Sequence, residues 1–270
     1  MERERMAGGN RAGNPRTSIW LAEGKPAPRR RASADRSREQ PGSLDRERII
    51  AAAIRLLDAE GLTKFSMRRL AAELGVTAMS VYWYVDNKDD LLELVLDEVS
   101  GEMALPDPDA EDADWRDQLR QLAHEYRGML VRHPWVARLV GQYLNIGPRS
   151  MRFSDATLRV LRRSGAEPSR ISGSLGALFQ FVYGFATVQT LYEERCRDAG
   201  LDQQEYLKEV SDSLTESPDF AERYSESMAM AQRLREEPLE DLWERDFTVG
   251  LDTVIAGIEV MRDRLRDEEA

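Results

Sequence analysis

The chain has 270 residues, 41% of them hydrophobic and 32% charged, with a formal net charge of −11. That balance fits a globular protein with its own core, in one large domain or two modest ones. The single cysteine, Cys196, excludes a disulfide framework, and no apolar run approaches the roughly 20 residues that a membrane span needs.

Residues 1–43 are rich in Gly, Pro, Arg, Ser and Ala and lack helical periodicity, so they are expected to form a disordered arm. They contain no apolar stretch of the kind a secretory signal needs, and a lone cysteine suits a reducing compartment, so the cytoplasm is the expected location. The first 40 residues hold ten Lys/Arg against five Asp/Glu, with Arg29, Arg30 and Arg31 as the densest point. Two readings stay open for this segment: a solvated leader, or a basic arm that touches DNA phosphates.

Three short helices follow, each with the same start signal of a capping residue and a hydrophobic staple. Asp45 caps the first, with Leu44 set against Ile49. Ser66 caps the second, with Phe65 set against Leu70. Thr77 caps the third, with Val76 set against Val81. The first helix spans about 45–60, with Ile49, Ile50, Ala53, Leu56 and Leu57 at helical spacing, and Gly61 is expected to stop it. The second ends at Gly75, so Ser66 to Val85 reads helix, glycine turn, helix. That is the helix-turn-helix pattern, whose second helix can enter a major groove.

The third helix carries "VYWY", with Tyr82, Trp83 and Tyr84 in a row. On a helical wheel Val81 and Val85 face the other two helices, Met79, Tyr82 and Trp83 face away, and Tyr84 lies at the edge of the buried sector. Outward rings near Lys64, Arg68, Arg69 and Lys88 suit a nucleic-acid surface, because a phenol can donate to phosphate and a ring can pack on sugar or a thymine methyl. A fourth helix starts at the Asn87 cap and runs over about 88–104 with Leu91, Leu92, Val95, Leu96 and Val99 on one face. The proline-broken stretch "ALPDPDAEDAD" marks a domain boundary near residue 104.

Residues 105–270 read as all-helical. Amphipathic segments cover 115–133 and 149–163, a long apolar one begins at Pro168, and the last runs over about 241–266. The expected fold is therefore all-α, with a three-helix DNA-binding domain at 44–104 joined to a larger helical domain at 105–270. His124 and His133 are nine apart, which does not place them on one helical face, so no metal site is expected. No nucleophile–base pair, glycine-rich phosphate loop or metal-spaced cluster is present in the sequence. No catalytic residue, cofactor or enzyme activity is expected.

The stretch "FSMRRLAAELGVTAMSVYWYVDNKDDLLELVLDEV" resembles the DNA-binding segment of the tetracycline-repressor (TetR) family, and the resemblance covers residues 45–104. "VYWYVDNKDDLL" is similar to the branch that contains the tetracycline repressors themselves. "HPWVARLVGQYLNIGPRSM", "LRRSGAEP" and "DFTVGLDTVIAGI" resemble the C-terminal domain of that branch. The resemblance implies a regulator, more commonly a repressor, that binds a double-stranded operator and answers to a small molecule. It implies that Arg68 reaches the groove or a phosphate, and that Thr77 caps the recognition helix. Ala78, Met79 and Ser80 would face base edges, Tyr82 and Trp83 would contact phosphate and sugar, Tyr84 holds a position often given to histidine, and Lys88 would clamp a phosphate. Neither Val99 to Leu105 nor Val136 to Gly147 holds a histidine, so a tetracycline–magnesium effector is not expected.

Operators of such regulators are pseudo-palindromes read by a two-fold homodimer. The helices at about 168–194 and 241–266 are expected to pair with their mates as a four-helix bundle, through Gly173, Gly176, Leu178, Leu251, Val254 and Ile258. The same stripe also reads as an intrachain core, and both can hold. Candidate effector-pocket residues are Met129, Trp135, Tyr143, Phe179, Tyr183 and Gln189, each of which also reads as plain core. The rival reading is a helical interaction module with a vestigial DNA head, favoured by the net charge of −5 that seven Lys/Arg and twelve Asp/Glu give residues 41–104.

Overall fold

The computed structural model describes residues 18–21, 44–107, 109–110, 112–215, 222–234 and 237–269. The head begins with α1 (Arg46–Lys64), α2 (Met67–Glu73), α3 (Ala78–Tyr82) and α4 (Lys88–Ser100). All four expected N-caps form. The side chains of Asp45, Ser66, Thr77 and Asn87 accept the backbone N–H groups of Arg48, Arg69, Ser80 and Asp90 at 2.7, 3.2, 3.2 and 2.8 Å. Each satisfies a donor that the first helical turn leaves unpaired.

Gly61 does not stop α1. It kinks the helix with φ 74°, and a further turn runs to Lys64 before the Phe65 N–H closes on the Leu62 carbonyl. Gly75, with φ 68°, makes the turn between α2 and α3 in a backbone region that residues with a Cβ rarely adopt. Ile49, Ala53 and Leu57 of α1, Leu70 of α2, Val81 of α3 and Leu91 and Val95 of α4 form the buried centre of the head. The fourth helix ends at Ser100, shorter than expected, with Gly101 as its C-cap.

The second part holds α5 (Trp115–Arg132), α6 (Val136–Val140), α7 (Pro148–Arg163), α8 (Pro168–Ala199), α9 (Gln203–Thr215), α10 (Ser225–Leu234) and α11 (Leu239–Glu269). Among the described residues there is no strand. Leu119, Leu122, Leu130, Phe153, Val160, Leu178 and Val182 are buried where α5, α7 and α8 meet, and α11 lies along α8 and buries Phe247, Leu251 and Ile255. By length and composition alone α8 is apolar enough to cross a membrane, contrary to the sequence expectation, and only 22% of its most apolar window is buried within the chain.

Several long-range contacts join the parts, and two of them anchor α4. Asp97 of α4 caps α7, because its Oδ1 accepts the N–H groups of Arg149 and Ser150 at 3.0 and 2.9 Å. The α7 N-terminus has no side-chain cap of its own, and Gly147 leaves room for the carboxylate: a Cβ there would sit 2.3 Å from Asp97 Oδ1. The second contact corrects the reading of residues 1–43 as a uniform arm. Ser18 is buried and donates through Oγ to Glu93 of α4, Ile19–Leu21 form a 3-10 turn, and Trp20 packs beside Leu96, Tyr143 and Gly147. Arg29, Arg30 and Arg31 lie outside the described residues.

Candidate nucleic-acid interface

The outer face of α3 is apolar and exposed. Met79 and Trp83 are each 67% exposed and Tyr82 41%, although such side chains are usually buried in the absence of a partner. The cause is local: the short helix spends Val81, and Val85 just beyond it, on the core. Arg68 of α2 is exposed next in chain to Arg69, but only Arg69 is engaged, by Glu60 at 2.6 Å and Glu73 at 3.4 Å. Those hydrogen bonds and charges, Glu60 first, hold the Arg69 guanidinium above its ordinary pKa. Among the described residues Arg68, Tyr82 and Trp83 make no side-chain hydrogen bond, so their polar atoms are open to a ligand. Thr77 and Ser80 are partly engaged, with their hydroxyls sharing a hydrogen bond of 2.9 Å. Ala78 is half-buried at the first turn.

Two expected contacts turn inward. Tyr84 is half-buried and its hydroxyl donates to the Leu44 carbonyl at 2.5 Å, bracing the start of α1. Lys88 donates to the Phe65 carbonyl at 3.0 Å and lies 5.3 Å from the centre of the Phe65 ring. Both partners are far away in sequence, so periodicity could not reveal them. The outward surface is thus Arg68, Met79, Tyr82 and Trp83, with Thr77, Ala78 and Ser80 along its edge.

The expected pocket residues separate into two groups. Phe179 packs with Leu122, Tyr126, Phe153, Thr157 and Val182 between α5, α7 and α8, leaving no space large enough for a water molecule. Burial pushes the Tyr126 phenol up to about 12, so it stays protonated at neutral pH. Met129 is buried in the same core, Tyr183 donates to the Ala137 carbonyl at 2.9 Å, and Gln189 accepts from the buried Arg127 at 3.0 Å. Trp135 and Tyr143 lie elsewhere. The Trp135 indole donates to Asp58 of α1 at 2.7 Å, and the Tyr143 hydroxyl donates to Asp89 of α4 at 2.9 Å. They are struts between the two parts and lie outside that cluster.

The expected dimer residues divide as well. Leu178, Leu251 and Ile258 are buried within the chain and Val254 is half-buried. The exposed faces of the two helices carry Gly173, Gly176, Val188 and Leu191 on α8, and Val249, Val260 and Met261 on α11. Leu178, Leu251 and Ile258 thus serve the chain's own core, the alternative that the sequence left open for this stripe.

With this geometry in hand, residues 49–95 match the model of the bacterial regulatory proteins of the tetR family, and residues 107–262 match the tetracyclin repressor-like C-terminal domain. The chain belongs to the TetR family. It is 32% identical over 237 residues to the transcriptional repressor DrrR1 of Streptomyces coeruleorubidus, covering 87% of this chain and 84% of the relative. It is 28% identical to the class G tetracycline repressor of Vibrio anguillarum, covering 81% and 95% of the two chains. The structure of the TetR family protein ActR from Streptomyces coelicolor in complex with actinorhodin superposes with a TM-score of 0.65 at 30% identity, covering 82% of this chain and 99% of that one. This TetR-family chain is a helix-turn-helix transcriptional regulator.

Proposed function

We propose that the chain is a cytoplasmic repressor, not an enzyme, that binds a pseudo-palindromic operator as a homodimer and releases it when a small organic molecule enters the C-terminal domain. The observation that carries the DNA-binding half is the outward cluster of Met79, Tyr82 and Trp83 beside an unengaged Arg68. A head that no longer met DNA would have little reason to hold two aromatic rings in water, which argues against the vestigial reading. Met79 and Ala78 offer only apolar contact, so base readout rests on few hydrogen bonds.

The exposed stripes of α8 and α11 lie on neighbouring helices, and small residues at Gly173 and Gly176 permit close approach of a second copy. Pairing of these faces in a four-helix bundle would set two heads roughly 34–36 Å apart, the spacing of successive major grooves. It would also cover the apolar outer side of α8, which removes the need for a membrane.

The cluster of Tyr126, Phe153 and Phe179 supports an aromatic, largely apolar effector. It is packed too closely to hold a ligand as it stands, so α5, α7 and α8 must part to admit one. Tetracycline–magnesium is not the effector we favour, since the chain has no histidine at the end of α4. Movement of α7 reaches the head directly, because Asp97 of α4 holds its N-terminus. A coupling of ~1–3 kcal/mol would change operator affinity by roughly 5–150-fold.

The test is a gel shift on the DNA upstream of the protein's own gene at two salt concentrations, with Tyr82→Ala and Trp83→Ala alongside. A salt-sensitive shift lost in both variants is expected. A shift that both variants retain would remove α3 from the interface.

A further inference from the structure

His133 sits at the C-terminal end of α5, is only 7% exposed and has both ring nitrogens on carboxylates. Nδ1 is 2.7 Å from Asp58 Oδ1, and Nε2 is 3.1 Å from Glu102 Oε2. The two acids come from different elements: Asp58 is on α1 of the head and Glu102 lies two residues past the end of α4. The Trp135 indole donates to the same Asp58 oxygen, and Arg132 of α5 lies 3.5 Å from Glu102. Among the described residues, Asp58, Glu102 and Arg132 are the charged groups in contact at this junction.

The chemistry of the ring decides what this geometry requires. A neutral imidazole has one N–H and one lone pair, whereas an imidazolium has two N–H donors. With an anionic oxygen at each nitrogen, the neutral ring would turn a lone pair on one carboxylate. Only the cation satisfies both. Burial by itself would lower the histidine pKa, but the hydrogen bonds to Asp58 and Glu102 and their charges outweigh it, and the net direction is upward.

We propose that the His133 imidazolium is a proton-held latch that fixes the DNA-binding head on the C-terminal domain, making the relative placement of the two parts sensitive to pH. A group whose folded pKa is raised contributes fully below its ordinary value, about 6.5 for histidine. The contribution is lost as pH climbs through the raised value. The latch is therefore closed below the ordinary histidine value and opens as pH climbs through the raised one, freeing α1 and the end of α4 together. Like the Asp97 cap it ties the head to the C-terminal domain, but it does so from the end of α5 and through a group that titrates.

The chain has two histidines, so histidine NMR on the full-length protein resolves the titration. His133 should titrate above the ordinary histidine value of about 6.5, and Glu102→Gln or Asp58→Asn should each lower it by removing one close opposite charge. If Asp58→Asn does not fold, Glu102→Gln at the half-exposed acid carries the comparison. Spin labels at Lys64→Cys and Arg152→Cys, in a Cys196→Ser background, then read the head's position by electron–electron distance. Wild type should broaden as pH is raised through the His133 value found by NMR, His133→Gln should be broad on both sides of it, and His124→Gln should behave as wild type. A His133 pKa at or below the ordinary histidine value of about 6.5, no response to Glu102→Gln, or a distance distribution unchanged as His133 titrates would each overturn the latch. No DNA is present, so failure here leaves the operator reading standing.

Discussion

Asp97, 2% exposed on α4, accepts the backbone N–H of Ser150 at 2.9 Å and thereby caps a helix 50 residues further along the chain. A cap normally comes from the residue just before the helix. Here the cap belongs to the helix that carries the DNA-binding head, so the end of α7 and the position of α4 cannot change independently. Asp97→Ala should lower stability by about 1–3 kcal/mol, the cost of leaving buried donors unpaired. Asp97→Asn, which keeps an acceptor, should cost less. Urea unfolding distinguishes these outcomes, and equal losses would mean that the carboxylate's charge matters more than its cap.

Tyr82 and Tyr84 are two residues apart, yet one is open and the other braces α1. Tyr82→Phe should weaken operator binding and leave the unfolding midpoint unchanged. Tyr84→Phe should do the reverse, at a stability cost of about 0.5–1.5 kcal/mol for one hydrogen bond. Lys88→Ala should resemble Tyr84→Phe, through the lost bond to Phe65. Arg68→Ala should reduce the slope of log affinity against log salt by about 0.9, the contribution of one phosphate. Anisotropy titrations at several salt concentrations, paired with urea curves, sort the four variants.

Val249 is 60% exposed on α11 and Val188 59% exposed on α8. A charge at either site costs little in a monomer and would be buried in the pairing proposed above. Val249→Glu should give a folded monomer by sedimentation and abolish operator binding. A dimer of unchanged affinity would place the interface elsewhere.

Trp20 packs on α4 and the turn before α7 although 22 residues separate Leu21 from Leu44. Trp20→Ala should lower the melting temperature by about 2–4 °C, the effect of ~1 kcal/mol in a chain of this size. No change would mean that residues 18–21 contribute nothing to holding α4.

Most of the fold was legible because its signals are local. The caps at Asp45, Ser66, Thr77 and Asn87 are written within three residues of the groups they bond, and the helical spacing of Ile49, Ala53 and Leu57 marks the buried face of α1 directly. The outward placement of Met79, Tyr82 and Trp83 followed from a five-residue helix with its core positions already assigned. What the sequence hid has partners across the chain: Lys88 on Phe65, Tyr84 on Leu44, Trp135 on Asp58, Asp97 on α7. An apolar residue on a helix packed from two sides gives no sign of which side it serves, and so the sequence left Leu178, Leu251 and Ile258 open between a second copy and the chain's own core, in which they are buried.

The most direct test of the operator reading is random-site selection with the purified full-length protein at moderate salt, followed by sequencing. Enrichment of an inverted repeat with half-site centres about 10–10.5 base pairs apart, or a multiple of that, and its loss in Trp83→Ala, is the expected result. A folded wild-type protein that enriches no sequence at all would contradict it.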